Sequence, residues 1–183
     1  MLQRPLTRPL RQGDLDGLCG VYAIVNAFCA LCPELDDDLV QIMFAELIKK
    51  LKAANAASAT EAIYDGIDFE TLLKIAKPMT PWLTRMTDIA VDVRKRDARR
   101  QFLTMQSFWD WLQHTVTAQS VIIASTLGVY NHWTVVTGVS ARALRLYDST
   151  ELQLLSRRRC TLRLSFDRHV LDPNEIVVLH RTS

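Results

Sequence analysis

Gln12-Gly13-Asp14-Leu15-Asp16-Gly17-Leu18-Cys19-Gly20-Val21-Tyr22-Ala23 sets a cysteine between turn residues and the start of a long apolar run. The run continues to Leu31 and is apolar nearly all round, as in a helix buried at the centre of a domain. Such a helix holds Cys19 in its first turn, where backbone N–H groups lack intrahelical partners and carry partial positive charge. A thiolate is stabilised at that position, so Cys19 reads as a nucleophile. A lone cysteine here would instead read as a small buried hydrophobe, so its partners decide the matter.

Working outward, Asp36, Asp37 and Asp38 precede an amphipathic stretch to about Lys52, with Lys49, Lys50 and Lys52 near its end. Acid at the start and base at the end complement a helix dipole. The Ala-rich stretch 53–59 either extends that helix or connects it onward, and another helix is expected from near Asp68 to before Pro78. Ser107-Phe108-Trp109-Asp110 fits a capping box opening a short helix to about His114, with Phe108, Trp109, Trp111 and Leu112 on a face packed against a sheet. Beyond it the pattern changes to short β-branched runs at 121–125, 132–139, 143–147, 160–164 and 175–179. Helices first and strands second predict one α+β domain over 1–183, helical at about 12–115 and sheet at about 120–181. Residues 53–67 and 78–106 are expected as loops bordering a groove.

The chain's 183 residues are 49% hydrophobic and carry 22 basic against 20 acidic side chains, a net charge of +2. That supports a packed core and gives no strong global drive toward nucleic acid, membrane or acidic partners. The N-terminal stretch lacks the continuous apolar segment of a secretory signal, and no run of about eighteen apolar residues is present to span a bilayer. The expected location is the cytoplasm, or outside it by a signal-independent route. Four cysteines, Cys19, Cys29, Cys32 and Cys160, are too few for a disulfide scaffold and fit a reducing compartment. Cys29 and Cys32 have the spacing of a metal-ligand pair, but no second pair follows, so core packing is expected and no metal. The runs Arg94–Arg100 and Arg157–Arg159 read as solvated surface, with an acidic partner as the functional alternative; without interleaved aromatics no nucleic acid is expected.

A cysteine nucleophile needs a base, and His132 opens a strand directly after the turn Gly128-Val129-Tyr130-Asn131. Asp148 ends the following run, and two adjacent antiparallel strands would bring it to the imidazole as the orienting acid. His114 belongs to a helix end, while His169 and His180 have no acidic partner in a comparable setting and read as structural or exposed.

Gln-x-Cys-Gly-type residues around Cys19, His-Trp-Thr-Val-Val-Thr-Gly from His132 and Leu-Tyr-Asp-Ser around Asp148 together resemble the papain-like cysteine peptidase superfamily. The nearest-looking branch is the bacterial one that includes bacteriocin-processing peptidases and several injected effectors. The resemblance implies a helical lobe, with the cysteine on its central helix, packed on an antiparallel sheet that supplies histidine and aspartate. It implies that Gln12 lends its side-chain amide to an oxyanion hole beside the Cys19 N–H, although Gln12 stands seven positions before Cys19, one more than the usual spacing. Substrate contacts fall to Asp16, Asn131 and Trp133, where Asp16 (or Asp14) alternatively ends the loop and Trp133 alternatively packs in the core. The expected function is cleavage of peptide or isopeptide bonds through a thioester, without a cofactor and with a protein or peptide as substrate. Glutamine deamidation, transglutamination and acyl transfer use the same residues and stay open, as does a binding module that keeps the fold without the chemistry.

Overall fold

The structure, a computed structural model, describes residues 8–13, 16–54, 58–97, 101–150 and 152–182. Asp14, the Ala-rich residues 55–57, and Ala98, Arg99 and Arg100 of the first basic run lie outside these. Among the described residues there are six α-helices: α1 Cys19–Leu31, α2 Asp37–Ala54, α3 Ser58–Asp65, α4 Phe69–Ala76, α5 Met79–Thr87 and α6 Met105–Thr115. The described residues also form one sheet of seven strands: β1 Val91–Lys95, β2 Ser120–Gly128, β3 His132–Val139, β4 Ala143–Leu146, β5 Leu154–Ser156, β6 Cys160–Thr161 and β7 His169–Arg181. The order across it is β1-β7-β2-β3-β4-β5, with β6 joined to β7. Every pairing is antiparallel except the short parallel one between β6 and β7.

Side-chain alternation along the central strands explains the architecture. Val135, Ile123 and Val177 are paired neighbours across β3, β2 and β7. They point into one core with α1, α2, α4 and α5. The next row, Val136, Ile122 and Val178, points the other way, into a second core with Phe108, Trp109, Trp111 and Leu112 of α6. A strand turns successive side chains to opposite faces, so covering both faces demands the near-continuous apolar runs seen in the sequence. The architecture is α+β, with the layout expected from the sequence: α1 lies at the centre of the helical side with Cys19 as its first residue, packed on a largely antiparallel sheet that carries His132.

Several expectations need correction. The helix near residue 107 starts earlier: Thr104 is the N-cap, its hydroxyl accepts from the Ser107 N–H, and Ser107 answers the Thr104 N–H. The capping box is therefore one turn upstream of Ser107–Asp110, and Asp110 accepts from Gln106 instead. The stretch 78–106 is no groove loop over its first half, because α5 and β1 occupy it and β1 pairs with β7 at the far edge of the sheet. Arg96 is not solvated: it is buried, donates to the Pro173 carbonyl and the Asn174 amide oxygen, and so holds the chain where β7 departs from register. Arg94 and Lys95 form exposed ion pairs with Asp92 and Glu70.

Gly128 closes β2 at φ +90°, and a Cβ there would stand 2.4 Å from the Arg168 carbonyl oxygen and 2.5 Å from that of Ser165. Backbone cannot yield as a flexible side chain can. Gly128→Ala is therefore expected to destabilise the protein by about 3 kcal/mol or more, read by denaturant unfolding.

Candidate active site

Cys19 begins α1 because the preceding loop is tied down to present it. Asp16 accepts from the Leu18 N–H at 3.1 Å and the Gly13 N–H at 3.3 Å, which satisfies one orphan donor of the helix start and folds the loop onto itself. Gly17 donates its N–H to the Ile63 carbonyl, and a Cβ on it would meet the Gly66 nitrogen at 2.9 Å and the Ile63 oxygen at 3.1 Å. Only glycine lets the α3 end approach the cysteine loop that closely.

The segment before the loop is laced to both sides of the site. Asn26, at 1% exposure the polar exception in α1, donates to the Leu10 carbonyl at 3.1 Å and accepts from its N–H at 2.8 Å. Two residues on, the Gln12 N–H donates to the Ser149 carbonyl at 3.0 Å. Gln12 is thereby held between the helix that carries Cys19 and the turn after β4. Its side-chain amide donates to the Asp16 carbonyl, while its own carbonyl oxygen is buried without a partner among the described residues.

His132 and Asp148 meet as neighbouring strands allow. β3 and β4 pair antiparallel, and the Tyr147 N–H donates to the Val135 carbonyl, which carries the register on to Asp148. The imidazole Nε2 donates to Asp148 Oδ2 at 3.1 Å, with both side chains buried. That leaves Nδ1 for Cys19, which lines the same cleft and whose charge acts on the ring. The other carboxylate oxygen, Oδ1, accepts from the Thr150 N–H at 2.8 Å and its hydroxyl at 2.6 Å. Burial pulls the imidazole's affinity for a proton down, but the hydrogen bonds and charges of Asp148 and Cys19 outweigh it, and the His132 pKa is raised to about 9. Burial works to raise Asp148 and is outweighed by the hydrogen bond and charge of His132, so its pKa lies below the ordinary carboxylate range.

Cys19, His132, Gln12, Asp16, Asn131 and Thr150 line one cleft of about 550 Å³, together with Tyr64 and Tyr130 on its rim. Tyr130 lies against the imidazole with ring centres 5.0 Å apart. The arrangement can take a proton from a thiol, hold it on a buried ring and return it to a leaving group.

No family model matches the chain, and no curated protein sequence matches it. Among solved structures it is similar to a double glycine motif protease from an AMS/PCAT transporter in complex with the leader peptide, at 12% identity and a TM-score of 0.48, covering 100% of this chain and 97% of that one. It is similar also to the peptidase domain of Streptococcus ComA, a bi-functional ABC transporter involved in a quorum-sensing pathway, at 15% identity and a TM-score of 0.48, covering 93% and 96%.

Trp133 lies outside the cleft. It is buried in the helical-side core, stacks on Phe69 and donates its indole N–H to the Ile67 carbonyl at 2.8 Å, because its position in β3 points it away from the His132 side. Asn131 lines the cleft while its side-chain oxygen accepts from the Gly128 N–H and closes the turn before β3. Asp16 likewise lines the cleft with both oxygens engaged by backbone. His114 binds the Asp110 carbonyl at its helix end, and His169 starts β7, largely buried, its pKa lowered by burial and by Arg159. Cys29, Cys32 and Cys160 are free thiols, each pushed up to about 12 by burial. Among the described residues no group of three metal-ligating side chains comes together, and no helix is long and apolar enough to cross a membrane.

Two contributors escaped the sequence reading. Thr150 had a signal, since a Thr two residues after an Asp commonly closes on its carboxylate. Asn26 had one as well, as a lone polar residue inside an all-apolar helix must find a partner.

Proposed function

We propose that the chain is a cysteine-dependent hydrolase of peptide or isopeptide bonds. The observation that carries the reading is the buried His132–Asp148 pair meeting Cys19 in one cleft at the start of α1. His132 Nδ1 takes the thiol proton and the thiolate attacks the substrate carbonyl. The oxyanion rests against the Cys19 N–H, with the Gln12 amide as second donor. The carbon–nitrogen bond breaks as His132 returns its proton to the leaving amine, leaving a thioester. Water, deprotonated by His132, then releases the acid and restores the thiol. Asp148 keeps Nε2 occupied throughout, so that Nδ1 is the nitrogen that works.

Incubation with peptide and protein substrates, followed by intact-mass measurement, tests this. Shortened products are expected, abolished by thiol alkylation. A substrate of unchanged length that gains about one mass unit would make the chain a glutamine deamidase acting through the same thioester. A thiol that labels no faster than a buried one, and is unaffected by His132→Ala, would make it a binding module.

Thr150 is a positioning residue in this scheme. Thr150→Val keeps the backbone N–H bond to Asp148 and removes the hydroxyl donor, so kcat/KM is expected to fall about tenfold while KM and melting temperature stay near the parent's.

A further inference from the structure

The second arginine run takes no part in the cleft, yet the fold gathers it with others. Arg142, Arg157, Arg158 and Arg168 line a pocket of about 660 Å³ at the β4–β6 end of the sheet. Residues 156–168 contain five arginines and one acid, Asp167, which the Ser165 hydroxyl engages. Arg157 is partly committed, donating to Gln106 and lying over the Trp109 ring, and Arg168 donates to the Arg158 carbonyl. Arg142, Arg158, Arg159 and Arg163 have no carboxylate at ion-pair distance among the described residues.

The loop between β6 and β7 adds a second, independent feature. Leu162 packs into the α6 core, but Leu164 and Phe166 stand in solvent at 81% and 87% exposure with Arg163 between Leu162 and Leu164. The loop is not loosely hung, because the Ser165 and Arg168 carbonyls abut Gly128 and the Val129 N–H donates to the Arg168 carbonyl. At this exposure Leu164 and Phe166 project from the surface, with Arg163 and Arg168 beside them in the chain. They fit immersion in a soft apolar phase. Guanidinium groups without carboxylate partners beside them fit the phosphates that cover such a phase.

We infer that this end of the sheet docks on an anionic phospholipid bilayer, with Leu164 and Phe166 entering the interface while Arg142, Arg158, Arg163 and Arg168 engage headgroup phosphates. The net charge of +2 makes the attraction a property of this patch, not of the whole chain. Because the loop is fixed against Gly128, docking would bring the Tyr130 edge of the cleft toward the bilayer.

Vesicle flotation tests it with the full chain. Binding is expected to equimolar phosphatidylcholine–phosphatidylglycerol vesicles and not to phosphatidylcholine alone, and it weakens as salt rises. Leu164→Ser with Phe166→Ser should weaken it more than tenfold, and Arg158→Gln or Arg163→Gln about fivefold each, with melting temperature and Cys19 labelling unchanged. No preference for anionic vesicles, or no loss in the Leu164/Phe166 variant, overturns the inference. Displacement by inorganic phosphate at matched phosphate concentration would reduce the site to a phosphate pocket, and equal binding of polyglutamate would make it a site for acidic protein; either result overturns it too.

Discussion

Cys19→Ala is expected to remove turnover altogether within the limits of a peptide-cleavage assay, a loss of roughly 10⁴-fold or more, and His132→Ala to do nearly the same. The two losses should not add. A thiol without its base and a base without its thiol each leave only whatever the cleft contributes by binding, so the double variant is expected to match the worse single one. Stability separates the two. Cys19 is partly exposed and small, and its replacement by alanine removes little packing. His132 is 7% exposed and bonded to Asp148, so its loss strands a buried carboxylate whose Oδ1 alone keeps its Thr150 donors, and melting temperature should drop with activity. In the parent protein, activity is expected to fall as pH rises through about 9, where the raised imidazole loses the proton owed to the leaving amine. A rate that is flat across that range while Cys19 still labels would remove His132 from the acid's role.

The legible parts of this molecule are those where one periodicity dominates. The run 18–31 could be nothing but a buried helix, and the β-branched runs at 121–125, 132–139 and 175–179 came out as paired central strands. The candidate site was read from order and position, and the fold puts Cys19 at a helix start, His132 at a strand start and Asp148 just past the next strand, at mouths of elements rather than inside them. Less legible was anything set by partners remote in sequence. Val91-Asp92-Val93 alternates correctly for a strand but is short and abuts a basic run, and only its pairing with Val177–Arg181 makes it one. Arg96 gave no hint of burial, since its partners Pro173 and Asn174 lie far along the chain. Trp133 misled for a simpler reason: adjacency to His132 suggests a shared site, whereas alternation in β3 sends neighbours to opposite faces.

Asp148→Asn should lower kcat/KM by roughly 10²- to 10⁴-fold with a folded protein, for a reason written in its hydrogen bonds. In the parent, Oδ1 accepts from two Thr150 donors and Oδ2 from His132 Nε2. Asparagine has one accepting oxygen and one donating nitrogen. Two donors outcompete one, so the oxygen stays with Thr150 and the NH₂ turns to Nε2. The ring must then accept at Nε2 and carry its proton on Nδ1, the nitrogen that faces Cys19 and has to take the thiol's proton. The same swap changes stability. The parent's His132 pKa is raised from 6.5 to about 9, so its contribution is fully present below about pH 6.5 and is lost as pH climbs through about 9; that of Asp148, whose pKa is lowered, is lost only in acid. In the Asp148→Asn protein the burial effect is left without the carboxylate, the His132 pKa falls, and the loss of melting temperature between about pH 6.5 and 9 should flatten. Proton NMR of the imidazole and melting curves across that range read both. Adding Thr150→Val should cost less activity in the Asp148→Asn background than in the parent, because the residue it positions no longer holds the working tautomer.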